Sequence, residues 1–416
     1  MPYFLLTMNK ARLLERFLQY VKIDSTANDE SQSVPSTLGQ LVIGRLLVQQ
    51  MLAMGIADAS QDEFGIVMGT IPGNLKAPVV AFNSHVDTSP DASGRDVKPN
   101  VIKNFDGSDI VLSGDSSKAI TAAACPELTG AKGKTIITTD GTTLLGGDDK
   151  AGVAIIMELA NHLLENQNIE HGPVRIMFTC DEEIGRGVDH VEIDEVNASV
   201  CYNFDSGGRC LIDTETFSAD LGLITCTGIN IHPSIGKDRM VNAVRAAGHF
   251  VESLPKDVSP ERTEEREGFL HPYSIVGDVS SVTLKILLRD FNSEKLREYE
   301  KLLRATAEQT ESAVAGSKVD VEIEKQYRNM GDGLVAEPRA IGIAAQAHQL
   351  LGREAKLTIV RGGTDGSRLT ELGLPTPNLS SGQHNIHSVL EWACLDEMVE
   401  ACEVGVEIVK LWGKEK

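Results

Sequence analysis

The sequence predicts an α/β fold, a mixed and largely parallel sheet flanked by helices, interrupted by a smaller inserted α+β unit. Three observations carry this reading. Short apolar runs bounded by glycine and proline alternate with stretches whose apolar residues recur at helical spacing. Between about 217 and 328 the pattern changes to strands alternating inside and outside, with a long charged helix after the second, and beyond 338 the first pattern resumes. At 416 residues and 41% hydrophobic content the chain can bury a large core, and about 100–200 residues per domain gives two or three domains. The division read is 1–216 and 329–416 for the larger domain, with 217–328 as the insertion.

Each element has its own local reason. A few apolar residues precede Asn9, Lys10 and Arg12, after which the chain reads as an amphipathic helix. That run is too short for a secretion signal or a membrane span, so a cytoplasmic protein is expected. Leu38 to Met54 repeats apolar residues at helical spacing and Gly55 stops it; "FGIVMGTIPG" and "APVVAF" then read as strands. "GVAIIMELANHLL" (152–164) is an apolar-faced helix, followed by Gly172-Pro173 and the buried-looking strand "VRIMF". Within the insertion, "ADLGLITCTG" and "SSVTLKILLRDF" are strands and "SEKLREYEKLLRATAEQTESA" the charged helix. A helix over 339–351 and the strand "KLTIV" return the chain to the larger domain. No internal repeat or low-complexity segment is present.

Charge and cysteine usage narrow the function. A formal net charge of −21 with no run of lysines or arginines argues against nucleic acid or an anionic membrane as partner, and favours a small soluble substrate. The seven cysteines are odd in number and contain no CxxC pair, so neither a disulfide framework nor a thiolate metal site is indicated.

Chemistry concentrates at strand ends. If the strand "VVAF" runs on to His85, then His85 and Asp87, two apart, project to the same side. A carboxylate beside an imidazole often orients a metal-binding histidine, although the pair alone fits equally a histidine capping a strand end. Three further segments matter. "LLGGDDKAG" sets Asp148 and Asp149 in a glycine-bounded turn before a helix; "VRIMFTCDEEIG" delivers Asp181, Glu182 and Glu183 after a buried strand; "ASVCYNFDSGG" does the same with Asp205. Carboxylates converging on one sheet edge repel unless cations lie among them. "SGQHNIHSVLE" offers His384 and His387, and chemistry alone does not choose between them. Two nitrogens and three carboxylates suit a pair of divalent ions if one aspartate bridges, and a further carboxylate is then needed to move the water's proton, with Glu182, adjacent to a ligand, the candidate.

Taken together and in order, HVDTSPD, TTDGTTLLGGDDKAG, FTCDEEIG, FDSGG, IHP with MVNA, RDF, RGGTDG and the terminal histidine segment resemble the dizinc M20 metallopeptidases, and among them the aminotripeptidases. The likeness runs from about Val21 nearly to the C-terminus. It implies a zinc-exopeptidase-like catalytic domain with an inserted lid, two zinc ions, a small peptide substrate, and a lid that serves as pairing surface in dimeric relatives. By resemblance His85, Asp148 and Asp205 hold one ion and Asp148, Glu183 and His387 the other. Asp148 bridges, Glu182 is general base and Asp87 orients His85. His232 matches the lid histidine placed at the oxyanion, and Arg289 and Arg361 are clamps for a peptide carboxylate. His-Pro-Ser stands here where the family commonly has His-Pro-Gly, Gly147 where alanine is usual and Cys180 where proline is usual.

Plainer readings accompany several of these residues. Asp149 and Lys150 read as a solvated turn pair, and Asp181 as a helix cap or surface carboxylate. Arg289 can pair with Asp290 or a sheet neighbour, and Arg361 can stiffen its glycine-rich loop. No histidine arrangement supports Cys180 as a nucleophile. Two other functions remain on the same scaffold, a dipeptidase or N-acyl-amino-acid amidohydrolase, and a non-catalytic peptide-binding protein.

Overall fold

A computed structural model describes residues 8–415; the reading of the apolar residues 1–7 lies outside them. The chain forms two compact units, one built from the chain up to Thr214 with Gly333–Thr358 and the segment from Thr364 onward, the other from Glu215–Asp332 with Ile359–Gly363.

The first unit is organised by a mixed sheet. Its strands lie in the order Ser60–Gln61, Val67–Ile71, Val174–Thr179, Val80–His85, Val200–Gly207, Asn378–His384, Trp392–Cys394, Ile136–Thr138 and Asn100–Ile102, with Leu211–Thr216 and Lys356–Val360 branching off. The four strands from Val174–Thr179 to Asn378–His384 are mutually parallel, and the pairs outside them are antiparallel. Parallel strands are covered on both faces, which is why Val80–His85 is buried at every position and its apolar start, Val80, Ala81 and Phe82, shows no alternation. The helix Gly147–Glu165 is buried along nearly its whole length, again without a polar face. Leu38–Met54 ends at Gly55, whose φ of 96° is one that only glycine adopts without strain.

Parallel strands send their carboxyl ends to one edge. His85 pairs with Thr179, so the chain leaves the sheet side by side at these two residues, and Val200–Gly207 and Asn378–His384 finish beyond the same edge. The helix Gly147–Glu165 is held close to this edge by Gly152, where a Cβ would overlap the Phe204 carbonyl oxygen and the Asp149 carboxylate. Gly152→Ala is therefore expected to lower stability by about 1–3 kcal/mol, through overpacking that only a backbone shift relieves, seen as a lower urea midpoint.

The second unit is an antiparallel sheet in the order Phe269–Gly277, Ser281–Asp290, Ser218–Thr227 and Lys318–Tyr327, with the helices Ala243–Ser253 and Ser293–Ala313. One face carries the core, in which Ile224, Phe250, Leu284, Ile286 and Leu303 are buried. The alternation read in "SSVTLKILLRDF" is this face, since Val282, Leu284, Ile286 and Leu288 point inward. The segment Ile359–Gly363, which the sequence reading leaves in the larger domain, packs here instead. Val360 accepts a hydrogen bond from the Phe217 N–H at 3.1 Å, and the Arg361 guanidinium lies 5.3 and 5.7 Å from the rings of Phe217 and Phe269. All seven cysteines are free, and among the described residues no helix is long and apolar enough to cross a membrane.

Candidate metal centre

The shared sheet edge gathers the acidic residues. His85, 1% exposed, ends its strand and turns Nε2 toward Asp148 Oδ1 at 3.0 Å and Asp205 Oδ1 at 3.6 Å. Its Nδ1 lies 3.4 Å from Asp87 Oδ1, an ion-pair distance without hydrogen-bond alignment. Asp87 also accepts the backbone N–H groups of Glu182 at 3.2 Å and Glu183 at 3.1 Å, which ties the two strand-end loops together. From the C-terminal loop His387 directs Nε2 to Glu183 Oε2 at 2.9 Å and Asp148 Oδ2 at 3.3 Å. Asp148 thus stands between two imidazoles with one oxygen toward each. The Glu182 carboxylate has no hydrogen-bond partner among the described residues, although it lies in the same negative field.

Support comes from Glu391, fully buried, whose carboxylate accepts the N–H groups of Leu145 (2.7 Å), Gly146 (2.8 Å) and Asp148 (3.0 Å). Asp148 and Asp149 depart from helical φ/ψ within the first turn of their helix, so their side chains part. Asp149 accepts from the Ser84 hydroxyl and the Gly152 N–H, and Lys150 donates to the Ile23 carbonyl at 2.8 Å. At 0% and 1% exposure these two are not a solvated turn pair; the turn folds under the sheet edge, where local polarity does not mean contact with water. Asp181 is corrected likewise. It is buried, accepts from the Ser36 N–H, the Ser36 hydroxyl and the Gln40 amide, and caps no helix with its side chain.

His384 and His387 separate clearly. His384 stacks on Trp392 at 3.8 Å and meets Glu397 at 2.8 Å, so only His387 reaches Asp148 and Glu183. His232, Arg289 and Arg361 belong to the second unit. There the exposed His232 meets the Ser234 hydroxyl through Nδ1 at 2.7 Å. Arg289 donates to Gln326 of the same sheet at 2.8 Å and lies over the Tyr327 ring. Arg361 donates to Thr263 at 2.9 Å and to the Glu265 carbonyl at 3.1 Å.

Electrostatics explain what such a cluster needs. Burial pushes Glu183 and Asp205 up to about 7, and Asp149 and Glu182 well above the usual carboxylate range. His387 is pulled up to about 11 by Asp148 and then Glu183. Burial alone would lower His85, but Asp148, Asp205 and Asp87 outweigh it; for Asp148 burial acts upward and the two imidazoles hold it down. The cluster by itself must keep protons that bound cations would displace.

The residues fit a pair of divalent ions. Glu183 Oε1 is buried with no hydrogen-bond partner, a state that is costly for a carboxylate unless a cation faces it. Ligand atoms of His85, Asp148 and Glu183, and of His85, Asp149 and Asp205, lie within 4.8 Å of one another. Imidazole with carboxylate and no thiolate is a donor set for zinc and similar ions. Sequence reasoning missed two acids, Asp365 and Asp91, and set a third, Asp149, aside as a turn residue. Asp149 is a member of the second group; Asp365, from "RGGTDG", is buried and accepts from Asn83 and Thr179; Asp91, from "HVDTSPD", meets His387 Nδ1 at 3.2 Å. Their only signal was membership of an acidic motif.

Known proteins agree with this architecture. The family model described as Peptidase family M20/M25/M40 matches residues 139–411. Peptidase T of Listeria monocytogenes serotype 4b (strain CLIP80459) is 40% identical over 405 residues, covering 97% of this chain and 99% of that one. A tripeptidase from Staphylococcus aureus subsp. aureus Mu50 shares the fold with a TM-score of 0.77 at 24% identity, over 98% of this chain and 100% of that one. A dinuclear metal-binding peptidase from family M20 of Bacillus subtilis does so at 0.66 and 14%, over 97% of each chain. A family model that spans most of the sequence, and a relative at 40% identity over nearly its full length, lead to one assignment: the chain belongs to peptidase family M20/M25/M40.

Proposed function

We propose that the protein is a dizinc aminopeptidase that releases the N-terminal residue of tripeptides. The observation that carries this reading is Asp148, set between two imidazoles that each meet a further carboxylate. The relatives named peptidase T and tripeptidase support the substrate class, and the dinuclear relative supports two ions. His85, Asp148 and Asp205 would hold one zinc, and Asp148, Glu183 and His387 the other. When bound, the pair supplies Lewis acidity that acidifies a water and polarises the scissile carbonyl. Asp87 orients His85. Glu182, with its carboxylate free of hydrogen bonds and its N–H fixed on Asp87, accepts the proton of the attacking water and returns it to the departing amine. His232, whose Nδ1 is engaged by Ser234, has Nε2 to offer an oxyanion, and Arg289 and Arg361 are the guanidinium groups for a peptide carboxylate.

The reading extends to a cytoplasmic protein, supported by seven free cysteines. It also includes a homodimer formed through the second unit, supported by Tyr273, Ile275 and Val276, which are exposed on its edge strand. The test is hydrolysis of free-amine tripeptides, N-acetylated tripeptides and dipeptides, each with and without a chelator. Turnover of free-amine tripeptides, abolished by the chelator, is expected. Preference for the acetylated series would make the enzyme an N-acyl amidohydrolase, preference for dipeptides a dipeptidase, and no hydrolysis at all a binding protein.

A further inference from the structure

The two imidazoles of the centre are held very differently. His85 is the last residue of a buried strand, and its neighbour Asp87 is 0% exposed and pinned by two backbone N–H groups. His387 lies beyond the end of its strand at His384, its side chain is 36% exposed, and its backbone is left-handed at φ 58°. A non-glycine residue in that region persists only where its surroundings over-determine it. No strand fixes the ring, so its orientation depends on what the second nitrogen meets. That partner is Asp91, whose Oδ2 lies 3.2 Å from Nδ1 while Nε2 faces Glu183 and Asp148. Asp91 is itself placed by its N–H on the hydroxyl of the buried Ser89, in the same loop that begins at His85.

We propose that Asp91 is a positioning residue for His387, so that of the two ions only the one held by Asp148, Glu183 and His387 depends on it. The inference rests on the dinuclear reading above. A carboxylate on the far nitrogen fixes the tautomer that leaves Nε2 with its lone pair toward the metal and raises the ring's basicity as a ligand. The buried Asp87 performs this for His85; Asp91, with its side chain 69% exposed, performs it for His387 from the solvent side.

The test is zinc titrated into the metal-free full-length protein against a chelating chromophore. Wild type is expected to take two ions. Asp91→Ala should keep one at wild-type affinity and weaken the other by roughly 10–100-fold, with Asp91→Asn, which retains an acceptor oxygen, in between. Two unchanged affinities, or two that fall together, overturn the proposal. So does a variant whose only change is a higher KM, which would make Asp91 a contact for the substrate's amine. A wild type that binds fewer than two zinc ions overturns the dinuclear reading first, and this proposal with it.

Discussion

Replacing Glu182 by glutamine is expected to leave both ions bound and to lower turnover by on the order of 10²–10⁴. The substitution keeps size and shape, and the anchors of this loop are untouched, because the Glu182 and Glu183 N–H groups that hold it on Asp87 are backbone. What disappears is a carboxylate that meets no donor among the described residues, where burial first, and then Asp205, Asp365 and Glu183 against the opposing charge of His85, raise its affinity for a proton. A group of that kind accepts a proton readily and an amide cannot. The measurement is kcat for a free-amine tripeptide, paired with metal analysis of the same preparation. Undiminished kcat with full metal content would remove Glu182 from the mechanism.

Asp148→Ala should act at the other end of the scheme and empty the centre. Among the described residues Asp148 alone faces both imidazoles, at 3.0 Å from His85 and 3.3 Å from His387, so its loss strips a ligand from each position at once. It also leaves Glu183 and Asp205, each pushed up to about 7 by burial, without the carboxylate that helps draw cations among them. Metal content after dialysis, measured against wild type treated identically, is the readout, with activity lost in parallel. Two ions retained in the variant would refute the bridging role.

Much of this arrangement was legible because it is written locally. The helix Leu38–Met54 matches its apolar spacing and its stop at Gly55, the charged helix Ser293–Ala313 spans the stretch read for it, and acidic residues following apolar runs point to the carboxyl edge of a parallel sheet whatever the remaining fold. Other features depend on distant chain and leave no local mark. The strands Ile136–Thr138 and Trp392–Cys394 have three residues each, too few for a period of two to show. Asp149, Lys150 and Asp181 look like surface residues because the groups that bury and satisfy them, Ser84, the Ile23 carbonyl, Ser36 and Gln40, come from elsewhere in the sequence. Arg361 shows the same effect at domain scale, since the rings beneath it are contributed by Phe217 and Phe269.

The carboxylate of Glu391 has a bearing on how the enzyme is made. The turn that presents Asp148 has its peptide groups gathered by a residue 246 positions later than Leu145. Translation must therefore reach Glu391 before that turn can be braced, and His387 is made just ahead of it. A fragment ending before Glu391 therefore lacks the brace on the turn that carries Asp148, and one ending before His387 lacks a candidate ligand as well.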